Sequence, residues 1–223
     1  MSVRAKIIAI DGPAGAGKSS VSKMLAKELN GCLLDTGAFY RTVTLALVRA
    51  DISVAEVTEE ILKSYEIRQE FNDDKTFMFL NGEDVSEEIR SEHISKQVST
   101  YAASRVIRKF AVALQQNYID ACVEKDLDVV IEGRDIATVV APNADVKIFL
   151  TASAEVRAQR RSQELSLNID ETLESINLRD HLDTMREMSP LTKSDDALEV
   201  DASDKTLEEV VDLIKSLFES GKR

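Results

Sequence analysis

The chain has 223 residues, 43% hydrophobic and 30% charged, with a formal net charge of −12. That length holds one α/β domain with room for a small insert, and so acidic a surface repels a phosphate backbone, which argues against general nucleic-acid binding. Cys32 and Cys122, far apart in sequence, form no C-x-x-C and make neither a disulfide framework nor a zinc site; they read as packing residues in a reducing compartment. His93 and His181 have no partner at metal-ligand spacing. The absence of a leader ahead of the first strand and of any run of membrane-spanning length gives a cytoplasmic expectation, with no membrane partner and a monomeric state.

Residues 3–10 (VRAKIIAI) read as a buried parallel strand. Next come Gly12, Pro13, Ala14, Gly15, Ala16, Gly17, Lys18 and Ser19, followed by Ser20. This is a G-x-x-x-x-G-K-[ST] phosphate loop between a strand and a helix, the context that gives the pattern its meaning. The helix, 18–29, carries Val21, Met24, Leu25 and Leu29 at helical spacing. Glycines let backbone N–H groups approach phosphate oxygens, and the helix turns its positive end toward the same anion. Lys18 supplies a charge for the outer phosphates, and the Ser19 hydroxyl is placed to ligate Mg²⁺.

Leu33-Leu34 then predicts a second core strand ending in Asp35-Thr36-Gly37, with helices at 38–49 and 54–68. Strands follow at 67–71 and 76–80, with turn residues at 72–74, then Asn81-Gly82 and a short run at 83–85. This antiparallel patch predicts an inserted subdomain over 60–100, the core being 1–59 and 101–223. A long helix is expected at 107–123, strands at 128–132 and 146–150, helices at 154–165 and 170–186, a strand at 197–200 and a closing amphipathic helix at 207–218. Repeated strand–helix units predict a doubly wound parallel sheet, whose ligands bind beyond the strands' carboxyl ends. The phosphate loop after Ile10, Asp35-Thr36-Gly37 after Leu34 and Glu132-Gly133-Arg134-Asp135 after Ile131 all fall at such ends, which places them in one cleft.

A guanine-reading N-K-x-D is missing, and the run 129–131 ends in Glu132 rather than the metal-binding Asp of a motor ATPase. A small kinase fits better. It must hold two polyanions face to face, and that needs cations. Arg41 and Arg134 follow core strands, Arg90 follows the hairpin region, Arg179 and Arg186 bracket Asp183 on the helix 170–186, and Arg157, Arg160 and Arg161 project from one face of the helix before it. The residues alone leave other small-molecule kinases open, and also a nucleotide-binding switch without an acceptor.

The segments IDGPAGAGKSS (10–20), LLDTGAFYR (33–41) and EGRDIATVVAPNADVKIFLTAS (132–153), with R-D-x-x-D-x-x-R (179–186) before Ser189-Pro190-Leu191, resemble the bacterial cytidylate kinases over nearly the whole chain. The resemblance implies a P-loop kinase fold and transfer of the γ-phosphoryl group of ATP, with Mg²⁺, to CMP or dCMP. It assigns residues 12–20 and Arg160 to ATP, with Arg157, Arg160 and Arg161 in a lid (about 154–190) that closes over it. Lys18, Arg134, Arg157, Arg161 and Arg186 would stabilise the transferred phosphoryl group. Thr36, Tyr40 and Arg41 would hold the acceptor, Arg41 gripping its phosphate with Arg134, Arg179 and Arg186. Asp183 would meet the sugar hydroxyls, and Ser99, Arg108 and Asp135 would read the base. Departures from the family pattern are Thr36 for serine, Ala137 for glycine, Gln116 for arginine and Asp201-Ala202-Ser203 near the end.

Overall fold

The computed structural model describes residues 4–72 and 75–220, the side chains of 164 and 165 excepted. Five parallel strands form the central sheet: β1 (Ile7–Asp11), β2 (Cys32–Asp35), β6 (Val129–Gly133), β7 (Val146–Thr151) and β8 (Leu198–Asp201), in the order β2-β6-β1-β7-β8. Ile7 pairs with Val129 and Asp11 with Gly133, so β1 starts where its partner does rather than at the predicted residue 3, which lies outside the described residues.

Alternation along each strand divides the core into two layers. Ile8, Ile10, Leu33, Val130, Ile148 and Leu150 pack against α1 (Lys18–Glu28) and α8 (Leu207–Ser220). Ala9, Leu34, Val129 and Ile131 face the other way, onto α2 (Thr36–Arg49) and α5 (Arg105–Val123). Helices on both faces make this the doubly wound sheet expected from the sequence. Helix α2 begins two residues earlier than predicted because Asp35 caps it, accepting from the Ala38 N–H at 3.0 Å.

The predicted helix 54–68 is instead three short pieces. A 3₁₀ turn covers Val54–Glu56, closed by a capping box between Ser53 and Glu56, and α3 covers only Glu59–Lys63. Val57 and the Thr58 cap are extended between them, and the chain is already a strand at Ile67. Two capping sites within six residues restart the chain before a long helix can form.

Strands β3 (Ile67–Asn72), β4 (Lys75–Leu80) and β5 (Glu83–Asp84) form an antiparallel sheet. Asn81 and Gly82 both have positive φ, 50° and 84°, as a tight hairpin turn demands. Of the predicted turn 72–74, residues 73–74 lie outside the described residues. Ile67, Met78 and Leu80 join the α2–α5 core layer, as do Ile94 and Val98 of α4 (Glu92–Ala102). Gln69 fastens β3 to the edge of β2, donating to the Leu33 carbonyl at 2.6 Å and accepting from the Asp35 N–H at 3.0 Å. Helices α6 (Ala154–Leu165) and α7 (Ile169–Met185) pack on each other beyond β7; caps at Ser153 and Asn168 set their starts. Cys32 and Cys122 are free thiols.

Candidate active site

The phosphate loop leaves β1 through Gly12, whose φ is +149°. A Cβ there would lie 1.9 Å from the Leu150 carbonyl oxygen, so only glycine lets the chain pass β7. No side chain caps the start of α1, which opens from Gly17 in the left-handed region. Its first N–H groups therefore face the loop without a competing carboxylate or hydroxyl. Lys18 is buried and folds back across the loop, donating to the carbonyls of Gly12 at 2.8 Å and Pro13 at 2.7 Å. Burial holds its amine well below the usual lysine range, helped by Arg134 and Arg179 and opposed by Glu132.

The Ser19 hydroxyl donates to Glu132 Oε2 at 2.9 Å. Burial first, then the nearby charge of Asp35, pushes the Glu132 carboxyl up to about 7. A hydroxyl and two carboxylates thus meet beside the loop's exit. Asp11, at the loop's entrance, is 2% exposed and receives the N–H groups of Ile136 and Ala137, each at 2.8 Å. It fixes the single π-helical turn Ile136–Val140, and with it the Gly133-Arg134-Asp135 segment. Burial pushes its carboxyl up to about 6 against those two hydrogen bonds.

On the other side of the cleft, cations outnumber their partners. Arg41, Arg134, Arg161 and Arg179 stand close enough for their fields to act on one another. Arg179 is lowered to about 10, mainly by burial and next by Arg134; Arg41 is lowered by burial, with Arg161, Arg90 and Arg134 acting against Asp35. Arg41 donates from Nη1 to the Ile89 carbonyl at 3.0 Å and to Ser95 Oγ at 2.8 Å. Ser99, half-buried, follows Ser95 by four residues on the same face of α4. Arg134 donates from Nε to Asp183 Oδ2 at 3.0 Å and from Nη1 to the Gly133 carbonyl at 3.2 Å. Thr36 is buried and donates to the Glu132 carbonyl at 2.7 Å, tying the ends of β2 and β6 together while its oxygen keeps acceptor capacity.

Deeper in, Asp135 does not cap the turn that follows it. Its Oδ2 receives Arg108 Nη2 at 2.5 Å in a pair that is 2% and 5% exposed. The Arg108 guanidinium lies 5.1 Å from the ring centre of Tyr40. Arg186 donates from Nε to the Ser189 carbonyl at 2.5 Å and sits 3.5 Å from Asp183 Oδ1. Its Nη2 is 3.9 Å from Asp135 Oδ1, too long for a hydrogen bond. Burial pushes the Tyr40 phenol up to about 12 and lowers Arg186. The Tyr40 hydroxyl, Arg108 Nε, Arg179 Nε and Arg186 Nη2 are all buried without a hydrogen-bond partner. Such orphans are unfavourable unless a ligand completes them.

The three arginines of α6 separate rather than share one face. Arg157 turns inward, donating to the Ala14 carbonyl at 2.9 Å and to Asp180 at 2.5 Å. Arg160 donates to the Ala202 carbonyl at 2.6 Å and lines a cavity of about 320 Å³ with Ala16, Gly17, Ser20, Ala202 and Lys205. Arg161 lies close enough to Arg41 and Arg179 for its charge to act on both. Successive residues on a helix point about 100° apart, which divides 160 from 161. The sequence did not single out Asp11 or Ser95, showed Asp180 only inside the 179–186 motif, and gave Glu132 no site role. Asp11 and Glu132 were the detectable ones, as acids ending otherwise apolar strands.

A phosphate loop on a doubly wound parallel sheet, opposite an arginine cluster and a second small sheet, defines a P-loop kinase. The cytidylate kinase family model matches residues 8–220. A cytidylate kinase of Bacillus cereus and one of Bacillus thuringiensis are each 45% identical over 217 residues, covering 94% of this chain and 94% of the relative. The chain belongs to the cytidylate kinase family. Among solved structures, a protein of Eubacterium ventriosum has the same fold at a TM-score of 0.53 and 14% identity, covering 96% of this chain and 98% of its own. A sugar kinase from a Janibacter species superposes at a TM-score of 0.50 and 13% identity, covering 96% of this chain and 95% of its own.

Proposed function

We propose that the chain transfers the γ-phosphoryl group of ATP to CMP or dCMP, giving ADP and CDP or dCDP. The observation that carries this is the buried Asp135–Arg108 pair, with Tyr40 against Arg108, Arg186 close to Asp135, and unpartnered polar atoms on Tyr40, Arg108 and Arg186. Cytosine offers an amine donor and two ring acceptors; Asp135 accepts from the first, and Arg108 with Ser99 serves the others. Uracil puts a carbonyl where Asp135 requires a donor. Arg41, Arg134, Arg179 and Arg186 grip the acceptor phosphate, Tyr40 and Thr36 bound its site, and Asp183 meets the sugar. Residues 60–100 act as the acceptor-binding insert, reaching the site through Ser95 and Ser99.

ATP lies with its triphosphate along residues 12–20 and its nucleoside in the cavity under Arg160. Lys18 exchanges the Gly12 and Pro13 carbonyls for phosphate oxygens, and Arg157 and Arg161 approach the transferring group. Ser19, Glu132 and Asp35 form an oxygen-only set that suits Mg²⁺. Among the described residues no cluster of three or more His, Cys, Asp or Glu could hold a metal alone. When bound, Mg²⁺ neutralises charge on the outer phosphates. The acceptor phosphate is already anionic, so positioning and charge neutralisation suffice without a general base. Membership of the family supports a cytoplasmic setting, and the enzyme is taken to act as a monomer.

A panel of nucleoside monophosphates with ATP and Mg²⁺, read by ADP formation, tests the proposal. CMP and dCMP should lead; AMP turned over faster than CMP would overturn it, and slow hydrolysis indifferent to any acceptor would favour a switch.

A further inference from the structure

A carboxylate against a phosphate loop repels the polyanion the loop must bind unless a cation offsets it. Asp180 of α7 is such a carboxylate. Its Oδ1 receives the Ala14 N–H at 3.1 Å, and its Oδ2 receives Arg157 Nη1 at 2.5 Å. Arg157 Nη1 also donates to the Ala14 carbonyl at 2.9 Å, and Nε donates to the Ala152 carbonyl at 2.9 Å. Both polar groups of Ala14 are therefore held, one by Asp180 and one by Arg157, in a closed ring of hydrogen bonds.

The packing around the ring is tight. A Cβ on Gly15 would lie 3.2 Å from Arg157 Cβ and 3.5 Å from Ile176 Cδ1, so α6 and α7 both press on the loop's tip. The Arg157 and Asp180 side chains are only 9% and 19% exposed. These bonds engage Nε and both Nη1 hydrogens of the guanidinium and leave its Nη2 edge for an anion. Of the three arginines of α6, only Arg157 is joined to a carboxylate among the described residues. Arg160 rests on a backbone carbonyl instead.

We infer that Asp180 is a positioning residue: it locks Arg157 and the tip of the phosphate loop to the α6–α7 pair, so that Arg157 meets the transferring phosphate in one orientation. This rests on the kinase activity proposed above. Asp180 touches neither nucleotide; its contribution passes through Arg157. The lock is strong because a buried guanidinium that loses its only carboxylate becomes an uncompensated charge.

The test is a double-mutant cycle of Asp180→Asn and Arg157→Met in steady-state kinetics with ATP and CMP. Asp180→Asn should lower kcat about 30-fold while the KM for CMP stays within about twofold. Asp180→Glu, which keeps the charge on a longer arm, should lose only about fivefold. With Arg157 already replaced, Asp180→Asn should cost less than about threefold more. Losses that multiply in the double variant, or a KM for CMP that rises in step with the fall in kcat, would overturn the role. If Asp180→Asn does not fold, the cycle runs with Asp180→Glu, whose fivefold loss must vanish in the Arg157→Met background. Wild-type turnover of the monophosphate panel is the separate check on the kinase activity. Should that fail, the same cycle is read in ADP affinity by calorimetry, where independent losses again contradict the role.

Discussion

The two sides of the cleft are finished to different degrees. On the phosphate-loop side the cations are satisfied by the protein itself: Lys18 by two loop carbonyls, Arg160 by Ala202, Arg157 by two carbonyls and Asp180. On the acceptor side Arg108, Arg179 and Arg186 each keep a buried nitrogen with no partner, as does the Tyr40 hydroxyl. The loop must break internal hydrogen bonds to take ATP, so it exchanges one set for another. On the proposed acceptor side a bound nucleotide would complete these groups rather than replace existing hydrogen bonds. A site of the second kind discriminates sharply, because a wrong base leaves the same groups unpaired.

The largest test of this contrast is at Lys18. Lys18→Ala should cut kcat by roughly 1000-fold or more, since its charge is required on the transferring phosphates, while thermal unfolding stays near wild type. Unchanged turnover would remove the lysine from the mechanism. Next is Asp135→Asn, which turns an acceptor toward cytosine into a mixed group. It should raise the KM for CMP about 50-fold, in line with a loss of about 2–3 kcal/mol, and the KM for ATP less than about threefold. Equal losses for both nucleotides would erase the distinction between the two sides.

Asp11 joins the two sides, and its carboxyl gives a pH signature. Its folded value, about 6, lies above the ordinary 3.8, so the folded state holds the extra proton between these values. Its contribution to stability therefore falls as pH rises from about 4 to about 6, by up to about 3 kcal/mol, and is level above that. Asp11→Asn should show no such slope relative to wild type in denaturant titrations; parallel curves from pH 4 to 7 would contradict the buried carboxyl. The smallest effect is expected at Ser95. Ser95→Ala removes one hydrogen bond to Arg41 and should raise the KM for CMP about threefold, leaving kcat unchanged.

The sheet was legible because each core strand is a short apolar run ending in chemistry-bearing residues, and Asn81-Gly82 announced its hairpin. The segment 54–68 was not, because Ser53 and Thr58 cap locally and override an apparently helical composition. In the site, Lys18, Arg41, Arg134 and Asp135 could be picked out from motifs at strand ends, whereas Arg108, inside α5, follows only from the family resemblance. Ser95 could not be picked out, and Asp180, though a letter of the 179–186 motif, drew no role, because each gains its meaning from a partner distant in sequence, Arg41 or Ala14. The arginines of α6 were legible as a group but not individually. Helical spacing shows that Arg157, Arg160 and Arg161 are neighbours, yet only the packing of α7 on the loop decides that Arg157 turns inward.

The most direct measurement is calorimetric titration of CMP and UMP into the protein without ATP. A ready-made acceptor pocket predicts that CMP binds at least about 100-fold more tightly than UMP, and that Asp135→Asn collapses this ratio. UMP binding as tightly as CMP to the unaltered protein would contradict the account.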